Sequence, residues 1–273
     1  MRHDSRRDRH PGGRHSGSRH SGRPASGKLA TGRRSPDTAI LYGWHTVKAA
    51  LENPRRRFHR LLATEAALRR LTEDNVPFPI APTPAAAEDI AAVAGASAVH
   101  QGLYAEADPL ESPELEDVVT GGIVLALDQV TDPHNFGAIL RSAAAFSATA
   151  VVTTERHSPQ ASGALAKAAS GALEYVPIVT VVNLARALDE LRELNAFLVG
   201  LDSDGEADLA ALPLSAPLAL VVGAEGRGLR HLTRARCDAV ARLALPGRIT
   251  SLNVSNATAV ALYVASTKLA VAG

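Results

Sequence analysis

Residues 218–232 read LALVVGAEGRGLRHL. The apolar run up to Gly223 is unbroken instead of alternating, the pattern of a strand buried on both faces, as parallel sheets require. Gly223, Gly226 and Gly228 then turn the chain, since glycine reaches backbone conformations other residues avoid and lets main chain approach a ligand closely. A helix follows at RHLTRA (230–235). Outward from this stretch the same alternation repeats. Strand-like runs stand at IVLALD (123–128), TAVVTT (149–154), EYVPIV (174–179), AFLVGLD (196–202) and VARLAL (240–245). Helical segments intervene at FGAILRSAAAF (136–146), SGALAKAAS (162–170) and LARALDELREL (184–194), and a last helix begins within SLNVSNATAVAL (251–262). The pattern predicts an α/β domain over 122–273, a mostly parallel sheet with helices on both faces. Ligands of such sheets sit beyond the carboxyl ends of the strands.

The rest of the chain divides by composition. Residues 1–36 hold ten of the 29 Lys and Arg against only Asp4 and Asp8, so a segment of about +8 precedes a body of about −7. With almost nothing apolar to bury, 1–36 is expected to be a disordered basic arm. It reads equally as a phosphate-seeking arm for RNA or as a solubilising tail; a mitochondrial transit peptide fits less well, given Asp4 and Asp8. Residues 37–107 alternate again in shorter units: AILYGWHTVKAALEN (39–53), FHRLLAT (58–64), EAALRRLTEDN (65–75), VPFPIAP (76–82), AAAEDIAAVAGA (85–96) and GLYAEA (102–107). They predict a small α/β domain with VPFPIAP as a strand and the turn of the first unit at Gly43. DPLESPELEDVVTGG (108–122), with two prolines and an acidic run, reads as an exposed linker over 108–121.

The totals exclude several classes. One cysteine, Cys237, rules out an internal disulfide and a multi-cysteine zinc site, and fits a reducing cytoplasm. No apolar run approaches the ~18 residues of a membrane span. No metal and no membrane partner are expected.

Three polar clusters follow strands. In the first, Asp132 or Asn135 can cap the next helix, Pro133 and Gly137 shape its entry, and Arg141 falls among small residues in ILRSAAA. Arg141 reads either as a snorkelling arginine or as a charge with a specific destination. In the second, GAEGRG (223–228) has the wrong glycine order for a dinucleotide fingerprint, and Glu225 within it would repel a pyrophosphate. It is a plain turn or a ligand site read through main-chain groups. In the third, one cap needs one side chain, yet Thr250, Ser251, Asn253, Ser255 and Asn256 crowd the start of an apolar helix. The surplus suggests the floor of a polar pocket.

Taken together, DPHNFGAILRSA (132–143), VVGAEGRGL (221–229) and SLNVSNATAVAL (251–262) resemble the three signature motifs of the SpoU (TrmH-type) RNA ribose 2′-O-methyltransferases of the SPOUT superfamily. LYGWHTVKAAL (41–51) resembles the start of the small substrate-binding domain of those members that methylate a 23S rRNA guanosine. The resemblance implies a catalytic domain ending in a deep trefoil knot, S-adenosylmethionine as cofactor, and a homodimer with active sites near its interface. It implies cofactor contacts at Gly223, Leu243 and Leu252, with Ala224, Gly226 and Ser255 in the same lining. Asn135, Arg141, Glu225, Ser251 and Asn253 match the catalytic and structural polar set. Departures at Phe136, Pro246, Arg248 and Asn256 bear on the substrate more than on the reaction.

The implied reaction moves a methyl from a sulfonium to a ribose hydroxyl, so the protein must supply alignment and removal of a poorly acidic proton. The match points to Arg141, which either loses its proton transiently beside an RNA phosphate or steadies the forming alkoxide. Structured RNA is the implied partner, a 23S rRNA guanosine first, with tRNA ribose, an antibiotic-resistance site in rRNA or a non-catalytic RNA-binding role as alternatives. Arg55, Arg56, Arg57 and Arg60 in NPRRRFHR form a candidate RNA patch or a solvated loop.

Overall fold

The computed structural model describes residues 38–95, 97–157 and 163–272; the arm expected at 1–36 lies outside them. The N-terminal domain begins with strand β1 (Ala39–Tyr42) and helix α1 (Trp44–Glu52), joined at Gly43, whose φ of 90° suits glycine. Val47 and Leu51, one helical turn apart, are both buried. β2 (Phe58–Ala63) follows, then α2 (Glu65–Glu73), capped by the Thr64 side chain accepting from the Ala67 amide. β3 (Thr83–Pro84), α3 (Ala87–Ala94) and β4 (Leu103–Ala107) complete it. The sheet order is β1-β4-β2-β3, with β4 antiparallel to both neighbours and β3 parallel to β2.

VPFPIAP is not a strand: Pro77, Pro79 and Pro82 lack the N–H a ladder needs, and pairing begins only at Thr83. Nor is 108–121 simply exposed. It holds a short helix, α4 (Leu115–Val118), whose Leu115 and Val118 are buried, and the Ser112 hydroxyl accepts a 2.9 Å hydrogen bond from the Thr180 amide.

The C-terminal domain carries β5 (Ile123–Asp128), α5 (Pro133–Ala145), β6 (Ala150–Thr154), α6 (Gly163–Ala169), β7 (Ile178–Val181), α7 (Leu184–Glu193), β8 (Phe197–Leu201) and β9 (Ala207–Asp208). β10 (Leu218–Gly223), α8 (His231–Arg234), β11 (Ala239–Arg242) and α9 (Val254–Ala272) follow. The strands lie in the order β7-β6-β5-β10-β8-β11-β9, every pair parallel. β5 and β10 are buried throughout, as their continuous apolar runs predict. Successive residues serve opposite faces. Leu125, Leu127, Leu220 and Val222 pack with Phe136, Ile139 and Leu140 of α5 and Leu262 of α9. Val124, Ala126, Ala219 and Val221 pack with Leu184, Leu188 and Leu191 of α7 and with α4. In EYVPIV only the end is strand, because a single 3-10 turn at Ala172–Glu174 precedes Pro177.

α5 and α6 come unusually close. A Cβ added to Gly137 would lie 2.4 Å from the Ala168 Cβ and 2.8 Å from the Ala169 nitrogen, so only glycine permits this approach.

Candidate active site

β6 and β7 extend the sheet on one side of β5, and β8 and β9 on the other, with β10 inserted between β5 and β8, and ligands of such sheets sit beyond the carboxyl ends where the strand order switches. A cleft of about 690 Å³ lies at the carboxyl ends of β8, β10 and β11, within the usual 300–1,000 Å³ of a small-molecule site. One wall is the main chain from Gly223 to Gly228. Leu243, Leu245 and Leu252 also line the cleft, as do Asp202, Asp204 and Arg234.

The loop is folded tightly. The Arg227 and Gly228 amides both donate to the Ala224 carbonyl, and Ala224 bridges to Gly228. A Cβ on Gly223 would meet the carbonyl carbon and oxygen of Gly228 at 2.2 Å. At Gly226, with φ of 77°, an added Cβ meets nothing within 4 Å, so the loop tip is open. Two ion pairs hold the loop's far end. Asp128, the buried last residue of β5, accepts from the Arg230 amide at 3.0 Å and its Nε at 2.6 Å. Asp202, just past β8, pairs with Arg234 at 3.1 Å.

The three polar clusters converge at the cleft's lip. Asp132 caps α5, accepting from the His134 and Asn135 amides, which leaves the Asn135 side chain free. Its Nδ2 donates to Glu225 Oε2 at 3.4 Å. Asn253 Nδ2 donates to Asn135 Oδ1 and to Glu225 Oε2, each at 3.1 Å. Asn253 Oδ1 also accepts from the Ser255 amide at 3.0 Å and its hydroxyl at 2.6 Å, so it caps α9 while its other end ties the clusters together. Residues 90 and 118 positions from Asn135 thus share one network.

Gly223, Ala224, Glu225, Gly226, Leu243, Ser251, Leu252 and Asn253 all line the cleft. Ser255 stands behind, touching it through Asn253. Arg141 departs from expectation: it is exposed, not packed among small residues. The inward stripe of α5 is taken by Phe136, Ile139, Leu140 and Ala143, and position 141 falls off that stripe. Among the described residues no ion pair or hydrogen bond occupies its guanidinium, and its Cα lies about 9 Å along the helix axis from that of Asn135. The NPRRRFHR patch is also altered. Arg56 is buried against Glu174, and Arg60 faces Glu106 at 3.8 Å, leaving Arg55 and Arg57 exposed.

Sequence reasoning missed Asp128, Asp202, Asp204 and Arg234. The available signal was the position of Asp128 and Asp202 at the carboxyl ends of buried strands, where ligand walls form. Among the described residues no cluster of three or more His, Cys, Asp or Glu could hold a metal, and no helix is long and apolar enough to cross a membrane.

Residues 122–263 match the SpoU rRNA Methylase family. The chain belongs to that family. Residues 40–113 match a second domain, described as RNA 2′-O ribose methyltransferase substrate binding. Among SpoU relatives, a Pseudomonas putida protein named 23S rRNA (guanosine-2′-O-)-methyltransferase RlmB is 37% identical over 238 residues, 82% of this chain and 94% of that one. A Xylella fastidiosa protein of the same name is 44% identical over 176 residues, 62% of this chain and 71% of that one. In three dimensions the chain resembles a TrmH-family protein from Porphyromonas gingivalis (TM-score 0.71, 28% identity, 84% of this chain and 89% of that one). It shares its fold with the SpoU methyltransferase AviRb from Streptomyces viridochromogenes, solved with AdoMet (TM-score 0.71, 22% identity, 85% of this chain and 90% of that one).

Proposed function

We propose that this SpoU chain transfers a methyl group from S-adenosylmethionine to a ribose 2′-hydroxyl of structured RNA, the target being a guanosine of 23S rRNA. The observation that carries the reading is the Asn135–Glu225–Asn253 network, which joins all three SpoU motifs at the lip of one cleft. The names of the relatives support the rRNA guanosine as target.

The walls of the cleft suit the cofactor. Main chain at Gly223, Ala224 and Gly226 and the apolar Leu243 and Leu252 fit a flat purine, and the carboxylates of Asp204 and Glu225 complement a cation, Asp202 being held by Arg234. When bound, S-adenosylmethionine supplies a methyl group on a positively charged sulfur, already activated for transfer. Asn253 holds the start of α9 against Glu225 and Asn135, so the floor beneath Ser251 and Leu252 is fixed before substrate arrives. Arg141 is assigned to the 2′-hydroxyl. A guanidinium keeps its charge in proteins, so its role is to steady the forming alkoxide while the proton leaves to solvent or to an RNA phosphate.

The exposed position of Arg141 favours a homodimer in which it serves the partner's cleft. Val260 and Tyr263 of α9 are exposed one turn apart, and Tyr263 packs edge-on to Phe146 at the end of α5. That pair of helices is a face suited to a second copy. The proposal includes the C-terminal knot that the SpoU motifs imply, and a cytoplasmic location where ribosomal RNA is found. The test is titration with S-adenosylmethionine, followed by methyl transfer to 23S rRNA from cells lacking the enzyme. Arg141→Ala should bind the cofactor yet transfer nothing; turnover by this variant refutes its assignment.

A further inference from the structure

The two domains meet through side chains that the SpoU motifs do not include. Glu174, at the end of the 3-10 turn after α6, is buried with its side chain 2% exposed. Its carboxylate accepts from Arg56 Nη2 at 2.8 Å, from Arg56 Nε at 3.0 and 3.1 Å to its two oxygens, and from Asn53 Nδ2 at 2.7 Å. The Arg56 side chain is 4% exposed, and its Nη1 donates to the Asp108 carbonyl at 2.8 Å. The Thr46 hydroxyl donates to the Ala166 carbonyl at 3.0 Å. Lys167 Nζ donates to Gln101 Oε1 at 2.9 Å. Gly171 lies against α1, where a Cβ would meet Ala49 Cβ at 2.8 Å.

These contacts fix direction as well as distance. The fork of a guanidinium on a carboxylate tolerates little rotation, and burying the pair makes any mismatch costly. Apolar packing across the joint, where Ala166 and Leu173 join the core around Leu41 and Val47, is incomplete. A cavity of about 220 Å³ remains in the same interface, between Ile40, Leu110, Leu165 and Ile178. The far side of the joint is closely packed, because α6 abuts α5 through Gly137, and α5 carries Asn135 and Arg141. A continuous path of close packing thus runs from the small domain to the catalytic helix.

We propose that Glu174 is a positioning residue for RNA: by clamping Asn53 and Arg56 it holds the substrate-binding domain at one fixed orientation to α5, so that RNA gripped by the small domain presents its ribose at the cleft. This rests on the methyl-transfer reading. The pair then acts as a ruler between the grip and the chemistry, and contacts neither cofactor nor ribose.

The test compares the full-length chain with Glu174→Gln and with the double variant Arg56→Met/Glu174→Leu. Exchanging a buried ion pair for apolar residues of similar volume is often neutral for stability, and urea denaturation checks that the double variant is folded, since Asn53 and the Asp108 carbonyl also lose a partner. Affinity for S-adenosylmethionine, by calorimetry, should stay within about twofold of wild type, as expected for a distant site. On 23S rRNA from cells lacking the enzyme, kcat/KM for RNA should fall at least about tenfold, since a 1 Å misplacement of reacting groups can cost ~100-fold. Glu174→Gln keeps one acceptor but leaves the buried Arg56 without its counter-charge, so it should lose stability in urea denaturation as well as kcat/KM. Small-angle X-ray scattering should show a broadened distribution of interdomain distances in the double variant. Wild-type kcat/KM in a folded double variant overturns the proposal. If the wild-type chain methylates no rRNA, the parent reading fails instead. The ruler is then judged by scattering and by retention of 23S rRNA on filters, and no change in either overturns it.

Discussion

Replacing Gly223 with alanine should weaken cofactor binding in a chain that still folds. The added methyl would sit 2.2 Å from the Gly228 carbonyl carbon and oxygen and 2.5 Å from the Leu229 nitrogen. All three are backbone atoms, so no side chain can rotate out of the way. Ordinary contact begins near 3.4 Å, so the returning limb of the loop must withdraw by about 1 Å or more, which van der Waals repulsion enforces. The strand cannot yield, since β10 is buried and paired on both sides. The loop can, because Glu225, Gly226 and Arg227 are exposed. Overpacking of this kind costs about 1–3 kcal/mol of stability, measurable by urea denaturation. The same withdrawal breaks the Ala224–Gly228 bridge and reshapes the cleft wall. Calorimetric titration with S-adenosylmethionine should therefore show affinity reduced at least about tenfold, equivalent to 1.4 kcal/mol. Wild-type affinity in a folded Gly223→Ala chain would refute the claim that this main chain is the cofactor wall.

Asp128→Asn should raise KM for S-adenosylmethionine several-fold and leave kcat nearly intact, because the pair with Arg230 anchors the loop without touching the chemistry; initial-rate kinetics would show a kcat defect if this is wrong. Asn253→Ala removes a helix cap and both ties to Asn135 and Glu225. About 1–2 kcal/mol of stability should be lost, with methyl transfer close to background in a tritium-incorporation assay. Burial, and then the negative charge of Asp238, push the Cys237 thiol up from 9.0 to about 12. The folded state therefore keeps a proton that the unfolded state releases, so this contribution to stability is intact below pH 9 and fades between pH 9 and about 12. Near pH 8 Cys237 should resist iodoacetamide until the protein is unfolded, and rapid labelling of native protein would contradict that.

Much of this arrangement could be read along the chain because local pattern and tertiary role coincide. IVLALD and LALVVG are continuous apolar runs because both faces of β5 and β10 are covered, and the glycine loop follows directly. Asn135, Glu225 and Asn253 stood out as polar surplus at helix and loop starts. Their mutual bonding was not legible, since contacts across 90 and 118 positions leave no periodic signal. Arg141 misled for a local reason: small neighbours in a helix suggest tight packing, but the packed stripe runs through Ile139, Leu140 and Ala143. Arg56 misled in the opposite sense. Three adjacent arginines look like a phosphate-seeking surface, and nothing near them announces a buried acceptor at Glu174. VPFPIAP was hydrophobic enough for a strand, but its prolines cannot donate to a ladder.

The hydrogen bond from the Thr180 amide to the Ser112 hydroxyl has a bearing on solubility. β7 is the outermost strand on its side of the sheet, and an open margin there is a template on which another chain can add a strand. The segment between the domains lies along that margin and occupies one of its free donors. Ser112→Ala should thus show itself as aggregation on storage at high concentration rather than as lost turnover.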